Sequence, residues 1–190
     1  MPLNVEQMDR LFGSVGILVD GVREDQWQAP TPCTDWTVRD LVNHLVEVNL
    51  IFAALLRDQA LPEPGSELLG ADPAGAYRRS AAELLAAFDQ PGVLDRTFTS
   101  ALGTTTGAVR LSIRIADLLA HGWDLGRATG QPVGHLPDEL IEQALLFIRE
   151  QLTKMPRTGR FEPAQPIAED APALDRLAAF LGRPPSWSAT

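Results

Sequence analysis

The sequence predicts a mainly α-helical domain, and two observations support this fold class. Apolar residues recur every three or four positions over long stretches, which is the spacing of one face of a helix. No segment shows a sustained alternation of apolar and polar residues with β-branched enrichment, so no large sheet is expected. A chain of 190 residues buries enough surface to fold without disulfides or a structural metal. Any bound metal would therefore serve function.

The first two helices are predicted on either side of a turn-rich segment. Apolar spacing places the first helix over residues 4–22, and the prolines of the following segment QAPTPCTDW exclude a helix there. The second helix begins at Thr37, because Thr37 followed three residues later by Asp40 is typical of a capping box. Its apolar positions keep a three-four spacing to about residue 57, so one face is expected to pack in a bundle.

The third, fourth and fifth helices are predicted by their boundary residues. Asp72 and Pro73 are suited to the N-cap and the first position of the third helix, which continues to about residue 88. Residues 89–107 form a loop with a short extended piece at 97–102. The fourth helix then covers about 106–129 and ends at Gly130, and the fifth covers about 137–154.

The last part of the chain is predicted to be a Pro-rich connector followed by a short helix. The connector MPRTGRFEPAQPIAED precedes a helix over residues 171–181, and Gly182 is suited to the position just after its end. We therefore expect a helical bundle over residues 1–155 and, over residues 156–190, a connector and a short helix packed on the same domain.

Charge and composition exclude several functional classes. The net charge of −9 disfavours nucleic acid and anionic membranes as partners, because both attract basic surfaces. The apolar runs are too short to span a bilayer. The N-terminal segment lacks the pattern of a secretory signal, and the single cysteine, Cys33, has no internal disulfide partner. A cytoplasmic protein is the expectation.

Three histidines are candidates for chemistry. His135 lies in the turn-rich segment GQPVGHLP and is expected to be a solvated loop residue. His44 lies in the middle of the second helix between Leu41 and Val48, so it borders the apolar face and is expected to point inward. A packed histidine bonded to a neighbouring carbonyl or carboxylate remains the alternative for this position.

The fourth helix carries a polar stripe. At 100° per residue, five polar side chains fall within an arc of about 80° while the rest of the helix is largely apolar. The stripe lines either solvent or an internal cavity. In the first case it contains only weak ion pairs between residues three or four positions apart. Its members are Arg110, Arg114, Asp117, His121 and Asp124.

Metal coordination is the sharper interpretation of the same residues. A catalytic zinc site commonly takes two histidines and one carboxylate and leaves one position open. Two ligands one turn apart on one helix and a third from a facing helix satisfy that geometry inside a bundle. His44, Asp117 and His121 fit this requirement, although the spacing by itself is weakly specific.

Three segments carry a resemblance to a known family. They are WQAPTPCTDWTVRDLVNHLVEVN, IRIADLLAHGWDLGRATG and GRFEPAQPIAEDAPALDRLAAFLGRPPSW. Together they resemble the actinobacterial DinB-like family related to the N-terminal domain of mycothiol-dependent maleylpyruvate isomerase. The resemblance implies a DinB-like four-helix bundle, with additional C-terminal helices in this chain.

The resemblance also implies a divalent metal held by His44, Asp117 and His121. Zinc is the first candidate for this metal, and nickel is the alternative. It implies that Asp124, in the segment HGWD, acts beside the metal as a catalytic or supporting residue. The family has Glu where this chain has the shorter Asp117, and the separate C-terminal domain of the isomerase is missing. The substrate of the isomerase is therefore not expected here.

These observations favour a metal-dependent S-transferase or isomerase that uses a low-molecular-weight thiol, with mycothiol as the candidate, on a small electrophile. Asp124 would bond a ligating histidine or accept the thiol proton, and Arg114 or Arg110 would hold a substrate carboxylate. Trp123 is the tryptophan best placed to contact a ligand. The alternative is a non-catalytic bundle that senses or sequesters a metal or small ligand. A homodimer is compatible with such a bundle, and a role for Cys33 is left open.

Overall fold

The computed structural model describes residues 3–100, 103–154, 157 and 162–189. Within these residues it contains six α-helices and one two-stranded sheet, so the predicted all-α class is confirmed. In the described part of the chain, no helix is long and apolar enough to cross a bilayer. The elements are α1 (Val5–Asp20), α2 (Val38–Leu56), α3 (Pro73–Phe88), β1 (Thr97–Ser100), β2 (Gly103–Thr106), α4 (Gly107–Thr129), α5 (Asp138–Lys154) and α6 (Ala173–Phe180).

The helices begin where capping side chains satisfy their free N–H groups. Asn4 accepts a hydrogen bond from the backbone N–H of Gln7 at the start of α1, and the Gln7 side chain bonds back to Asn4. Thr37 and Asp40 make the same reciprocal pair at the start of α2, as predicted. Asp72 caps α3, with proline as its first residue. The sequence therefore located these starts within one or two residues.

Helices α1 to α4 form a four-helix core, and α4 is its central member. α3 packs on α1 and α2, while α4 packs on α1, α2, α5 and α6. The predicted bundle with additional C-terminal helices is confirmed. The central position of α4 explains why its polar stripe faces the interior of the molecule. The α4 side chains that are completely buried in the apolar core are Leu111, Ile115, Leu118, Leu119 and Leu125.

A β-hairpin stands where the sequence predicted one short extended piece at 97–102. β1 and β2 pair antiparallel, and residues 101 and 102 lie outside the described residues. Arg110 of α4 is buried beneath the hairpin and donates hydrogen bonds to the carbonyl oxygens of Phe98 at 2.7 Å and Gly103 at 3.2 Å. Arg110 therefore anchors the hairpin, and its contact with a substrate carboxylate stays a prediction.

The segment between α1 and α2 folds back over the start of α2. A short 3₁₀ turn at Glu24–Gln26, which was not predicted, opens it. The N–H of Val38 then bonds to the carbonyl of Ala29 at 3.0 Å, and the N–H of Thr31 bonds to the carbonyl of Trp36 at 3.1 Å. These bonds hold residues 31–36 as a compact loop beside the middle of the bundle.

The last part of the chain returns to the same side of the bundle. Residues 155–156 and 158–161, which include the predicted boundary at 155/156, lie outside the described residues. Gly182 follows α6 with φ +95°, and a Cβ there would lie 2.8 Å from the carbonyl oxygen of Glu162. Because only glycine fits this crossing, the chain turns sharply and directs Arg183 toward α4. We refer to residues 162–189 as the C-terminal segment.

Candidate functional site

Three side chains predicted to form one cluster lie together between α2 and α4. His44 comes from α2, and Asp117 and His121 lie one turn apart on α4. The two imidazole centroids are 4.9 Å apart, and Nε2 of His121 is 3.4 Å from Oδ1 of Asp117. One donor atom from each of the three lies within 4.8 Å of the other two. The structure therefore brings together the three residues predicted as metal ligands, and their binding of a metal stays a prediction.

His121 is held by carboxylates on both of its nitrogens. Its Nε2 faces Asp117, and its Nδ1 donates to Oδ2 of Asp124 at 2.9 Å. Asp124 is completely buried. Burial alone would lower the pKa of His121, but the charge of Asp117 and hydrogen bonds to Asp117 and Asp124 raise the pKa well above its ordinary value. The two carboxylates thus fix both the ring orientation and the position of the Nδ1 proton.

His44 differs from His121 because it has no hydrogen-bond partner among the described residues. Its ring instead contacts the rings of Trp36 and His121, at centroid distances of 4.7 Å and 4.9 Å. Burial lowers the pKa of His44 to about 4, despite the opposing charge of Asp117. At neutral pH the imidazole is therefore uncharged and keeps a free lone pair beside Asp117. The alternative prediction for His44, a packed histidine bonded to a carbonyl or carboxylate, is therefore wrong as far as the described residues are concerned.

Arg114 lies under the cluster and supports Asp117. The Arg114 side chain is completely buried, with Nε and Nη2 donating to Oδ1 of Asn49 and Nη2 donating to the carbonyl of Leu45 at 3.0 Å. Its Nη1 donates to Oδ2 of Asp117. Burial raises the pKa of Asp117, but the charges of His121 and Arg114 outweigh this effect, so the net shift is downward and the carboxylate is ionised. Arg114 borders the cavity described below, yet its donors are directed at protein groups rather than at a substrate.

Two residues that the sequence analysis did not assign to the site complete the far side of His121. Arg183 from the C-terminal segment donates to both oxygens of Asp124, at 3.3 Å and 3.0 Å. Cys33 from the loop before α2 lies with its Sγ 3.1 Å from Oδ2 of Asp124 and 3.2 Å from Nη2 of Arg183. Asp124 is thus a buried acceptor for three neighbours, one of them His121, and its catalytic role stays a prediction.

The tryptophan in contact with the cluster is Trp36 and not Trp123, which was expected to contact a ligand. Trp36 stacks on the imidazole of His121, with ring centroids 5.9 Å apart, and its ring also contacts the imidazole of His44. Trp36 therefore forms part of the site. Trp123 is buried on another face of α4, where its Nε1 donates to Oδ1 of Asp175 at 2.6 Å. Because Trp123 does not border the cavity beside His121, the expectation that it contacts a ligand is not supported.

A cavity of about 1030 Å³ opens onto the His44, Asp117 and His121 cluster. Its volume is at the upper end of the range for small-molecule sites. The loop before α2, the helices α2, α4 and α5, and the C-terminal segment all contribute to its wall. The polar lining residues are Thr31, Cys33, Thr34, His44, Arg114, Asp117, His121, Glu162, Gln165 and Arg183.

The donor types and one donor separation fit a divalent transition metal. Two ligands of a tetrahedral zinc, each about 2.0–2.2 Å from the ion, are about 3.3–3.6 Å apart, and the His121–Asp117 separation of 3.4 Å falls in this range. Cys33, His121 and Asp124 form a second group of donors within 4.8 Å of one another. In that group Arg183 bonds both oxygens of Asp124 and the Sγ of Cys33, whereas Arg114 bonds only Oδ2 of Asp117 and leaves Oδ1 facing His121, so the first group is the better candidate.

Comparison with protein families and relatives gives consistent results. A family model described as the mycothiol maleylpyruvate isomerase N-terminal domain matches residues 11–126. Two uncharacterized proteins of Mycobacterium tuberculosis, from strains CDC 1551 and H37Rv, are each 37% identical over 184 residues, which cover 96% of this chain and 97% of the relative. The matched range contains all three predicted ligands and Asp124, whereas Arg183 lies outside it.

Two solved structures share the fold. They are crystal structures of the mycothiol-dependent maleylpyruvate isomerase and of a mutant of it, with sequence identities of 18% and 17%. Each superposes with a TM-score of 0.58 over 75% of this chain and 68% of the other chain. At this level of identity the similarity concerns the fold alone.

Proposed function

Because this chain belongs to the mycothiol maleylpyruvate isomerase N-terminal domain family, we propose that it is a metal-dependent enzyme that uses a low-molecular-weight thiol. The thiol is mycothiol, the reaction is an S-transfer or a thiol-assisted isomerisation, and the second substrate is a small electrophile. One observation carries the proposal: the unbonded, neutral imidazole of His44 lies beside Asp117 and His121 at the edge of a large cavity.

His44, Asp117 and His121 would hold a divalent cation, with zinc as the first candidate and nickel as the second. Two imidazoles and one carboxylate are the donor set of catalytic zinc sites that keep one position open. When bound, such a cation lowers the pKa of a thiol that reaches it, so that the thiol reacts as a thiolate at neutral pH.

The neighbouring residues keep the donor atoms in place. Asp124 accepts a hydrogen bond from the Nδ1–H of His121, so Nε2, which faces Asp117, is the nitrogen that would give up its proton to a metal. Arg114 holds Oδ2 of Asp117, which leaves Oδ1 directed toward His121. Trp36 covers both imidazoles and limits their contact with water.

Metal binding is the first test. Zinc and nickel content and affinity are measured for the wild type, for the double variant His44→Ala with His121→Ala, and for His135→Ala. The third histidine is a matched control, because His135 is bonded to the carbonyl of Ser14 and lies outside the cluster. We expect the wild type and the control to bind the metal and the double variant to lose it. Equal metal affinity in the double variant would overturn the assigned site.

Turnover is the second test. Zinc-loaded protein is offered a panel of electrophiles, including a chlorinated arene, with mycothiol or with a simple thiol. Both the loss of thiol and the conversion of the electrophile are followed, because an isomerisation regenerates the thiol. We expect conversion of an electrophile that depends on mycothiol and disappears in His44→Ala. Tight metal binding without turnover across a broad panel would instead favour the alternative of a metal-sequestering or sensing bundle.

A further inference from the structure

The residues that line the cavity beside the cluster are of two kinds, polar and apolar, and we refer to the apolar ones as the apolar wall. The polar ones include His44, Asp117, His121 and Arg183. The apolar wall takes side chains from five parts of the chain, which are the loop before α2, the helices α2, α4 and α5, and the C-terminal segment, so its character does not depend on any single helix. Its aromatic members are Trp36, Phe52 and Trp187, and Ile113 is one of its aliphatic members.

The cations that border the cavity are already bonded to protein groups. Arg114 is completely buried and bonds Asn49, a backbone carbonyl and Asp117. Arg183 bonds both oxygens of Asp124 as well as the carbonyl of Leu181. The four charges of Arg114, Asp117, Asp124 and Arg183 therefore form two opposite pairs. The two ring nitrogens of His121 face the same two carboxylates, so His121 also offers no free donor. In the described lining of the cavity, no arginine remains directed at an incoming anion.

This arrangement is unfavourable for a substrate with several carboxylates. A carboxylate that entered the apolar wall would lose its hydration without gaining a partner, and desolvation of an unpaired charge is expensive. The carboxylate of Glu162 at the rim would also repel it. An uncharged molecule loses little hydration in the same place and gains contact with Phe52 and Trp187.

We infer that the second substrate is an uncharged aromatic or similarly apolar molecule, and that it lies against the wall formed by Phe52, Ile113 and Trp187. As a statement about a substrate, this inference rests on the proposed function. As a statement about what the cavity binds, it depends only on the lining residues and can be measured in the absence of metal and thiol.

Tryptophan fluorescence provides the measurement, because Trp36 and Trp187 border the cavity whereas Trp27 and Trp123 do not. Nitroaromatic compounds quench tryptophan, so 1,3-dinitrobenzene and 3,5-dinitrobenzoate serve as an uncharged probe and an anionic probe of the same shape. We expect saturable quenching by dinitrobenzene, with a Kd at least about tenfold below that of dinitrobenzoate in metal-free protein. Equal or tighter binding of the benzoate, or no saturable binding of either probe, would overturn the inference.

Two variants locate the binding and test its cause. Trp187→Ala should weaken dinitrobenzene binding and reduce the quenched fraction, while the matched control Trp27→Phe should leave the Kd unchanged. Ile113→Arg adds a cation to the apolar wall and should shift the preference toward dinitrobenzoate. Since Ile113 is only half-buried, the variant is expected to fold, and circular dichroism checks this. An unchanged preference in a folded Ile113→Arg protein, or an unchanged Kd in Trp187→Ala, would contradict the assigned wall.

Repeating the titrations with zinc separates this inference from the proposed function. If dinitrobenzene binds but His44 and His121 hold no metal, the proposed enzyme is wrong and the cavity assignment stands. If zinc binds and the benzoate is preferred in metal-free protein, the proposed metal site stands and the apolar substrate class is wrong.

Discussion

At the scale of single residues, two arginines each bind one of the two carboxylates that face His121. Arg114 holds Asp117 on one side of His121, and Arg183 holds Asp124 on the other side. Each carboxylate in turn faces one nitrogen of His121. A buried carboxylate without a cation would be costly, so each arginine offsets the charge that orients the imidazole. The polar stripe of α4 is thus an internal network, and the interpretation as a solvated edge is wrong.

Arg183→Met tests this arrangement. Loss of the guanidinium leaves Asp124 with one fewer partner and loosens His121, and changes in residues that support metal ligands typically cost about 10–100-fold in metal affinity. We expect a decrease of this size in zinc affinity, measured by competition with a chromophoric chelator. Arg127→Met is the matched control, because Arg127 bonds Asp175 at the surface.

Rescue distinguishes positioning from general destabilisation. Arg183→Lys keeps a cation near Asp124 and should recover part of the zinc affinity that Arg183→Met loses. A folded Arg183→Met protein that binds zinc as tightly as the wild type would show that the C-terminal segment does not support the cluster.

Sequence spacing found some of these residues and could not find others. Asp117 and His121 are four positions apart on one helix, and His44 borders an apolar face, so periodicity placed all three. Cys33 and Arg183 meet across 150 positions of sequence, and nothing in either local segment indicates that contact. The proline and glycine residues around Arg183 indicate a turn after α6, but the direction of the turn is decided by packing.

At the scale of elements, the capping box of α2 was predicted from sequence at the correct residues. Its contribution to the stability of the protein should depend on pH. The hydrogen bonds from Thr37 lower the pKa of Asp40. A carboxyl group with a lowered pKa stabilises the folded state above its ordinary pKa, and the contribution is lost as pH falls through the lowered value. Asp40→Ala should therefore destabilise the protein at pH 7, by roughly 0.3–1 kcal/mol because the exposed carboxyl is screened by solvent.

Urea unfolding at pH 7 and at about pH 3 checks this expectation. The difference in unfolding free energy between the wild type and Asp40→Ala should shrink at the lower pH, because the unfolded chain binds a proton at Asp40 more readily than the folded protein does. Asp9→Ala on α1 serves as the control, since Asp9 is exposed and takes no part in a cap. A difference that grows toward low pH would contradict the role of the ionised carboxyl.

Short elements were harder to predict than capped helices. The hairpin strands β1 and β2 have four residues each and lie in a run of threonine, serine and glycine, so they offer little alternation of apolar and polar residues. Their position depends on Arg110, which reaches them from α4. The sequence placed Arg110 on the polar stripe of α4 but could not assign its partners, because those include backbone carbonyls of another element.

At the scale of the whole molecule, the functional site is assembled from parts that are distant in sequence. The loop before α2 supplies Cys33 and Trp36, the bundle supplies the three predicted ligands, and the C-terminal segment closes the cavity. The bundle could be predicted because helical periodicity reports which faces are buried. The cavity could not, since its wall exists only after the C-terminal segment packs against α4 and α5.

Because a metal at this junction would connect α2 to α4, zinc binding should stabilise the whole fold. A ligand present at 100 times its Kd stabilises the folded state by about 2.7 kcal/mol if it does not bind the unfolded chain. For a domain of this size, each kcal/mol raises Tm by about 2–4 °C, so we expect zinc to raise Tm by about 5–10 °C. Removal of zinc by a chelator should reverse the increase. Calorimetry of the chelated and zinc-loaded protein measures both states.

Two histidine variants test whether the increase in Tm comes from this site. His135→Ala should show the full increase and His121→Ala should show almost none, because only His121 belongs to the cluster. An equal increase in His121→Ala would mean that zinc acts elsewhere on the chain, and the link between the two helices would have to be abandoned.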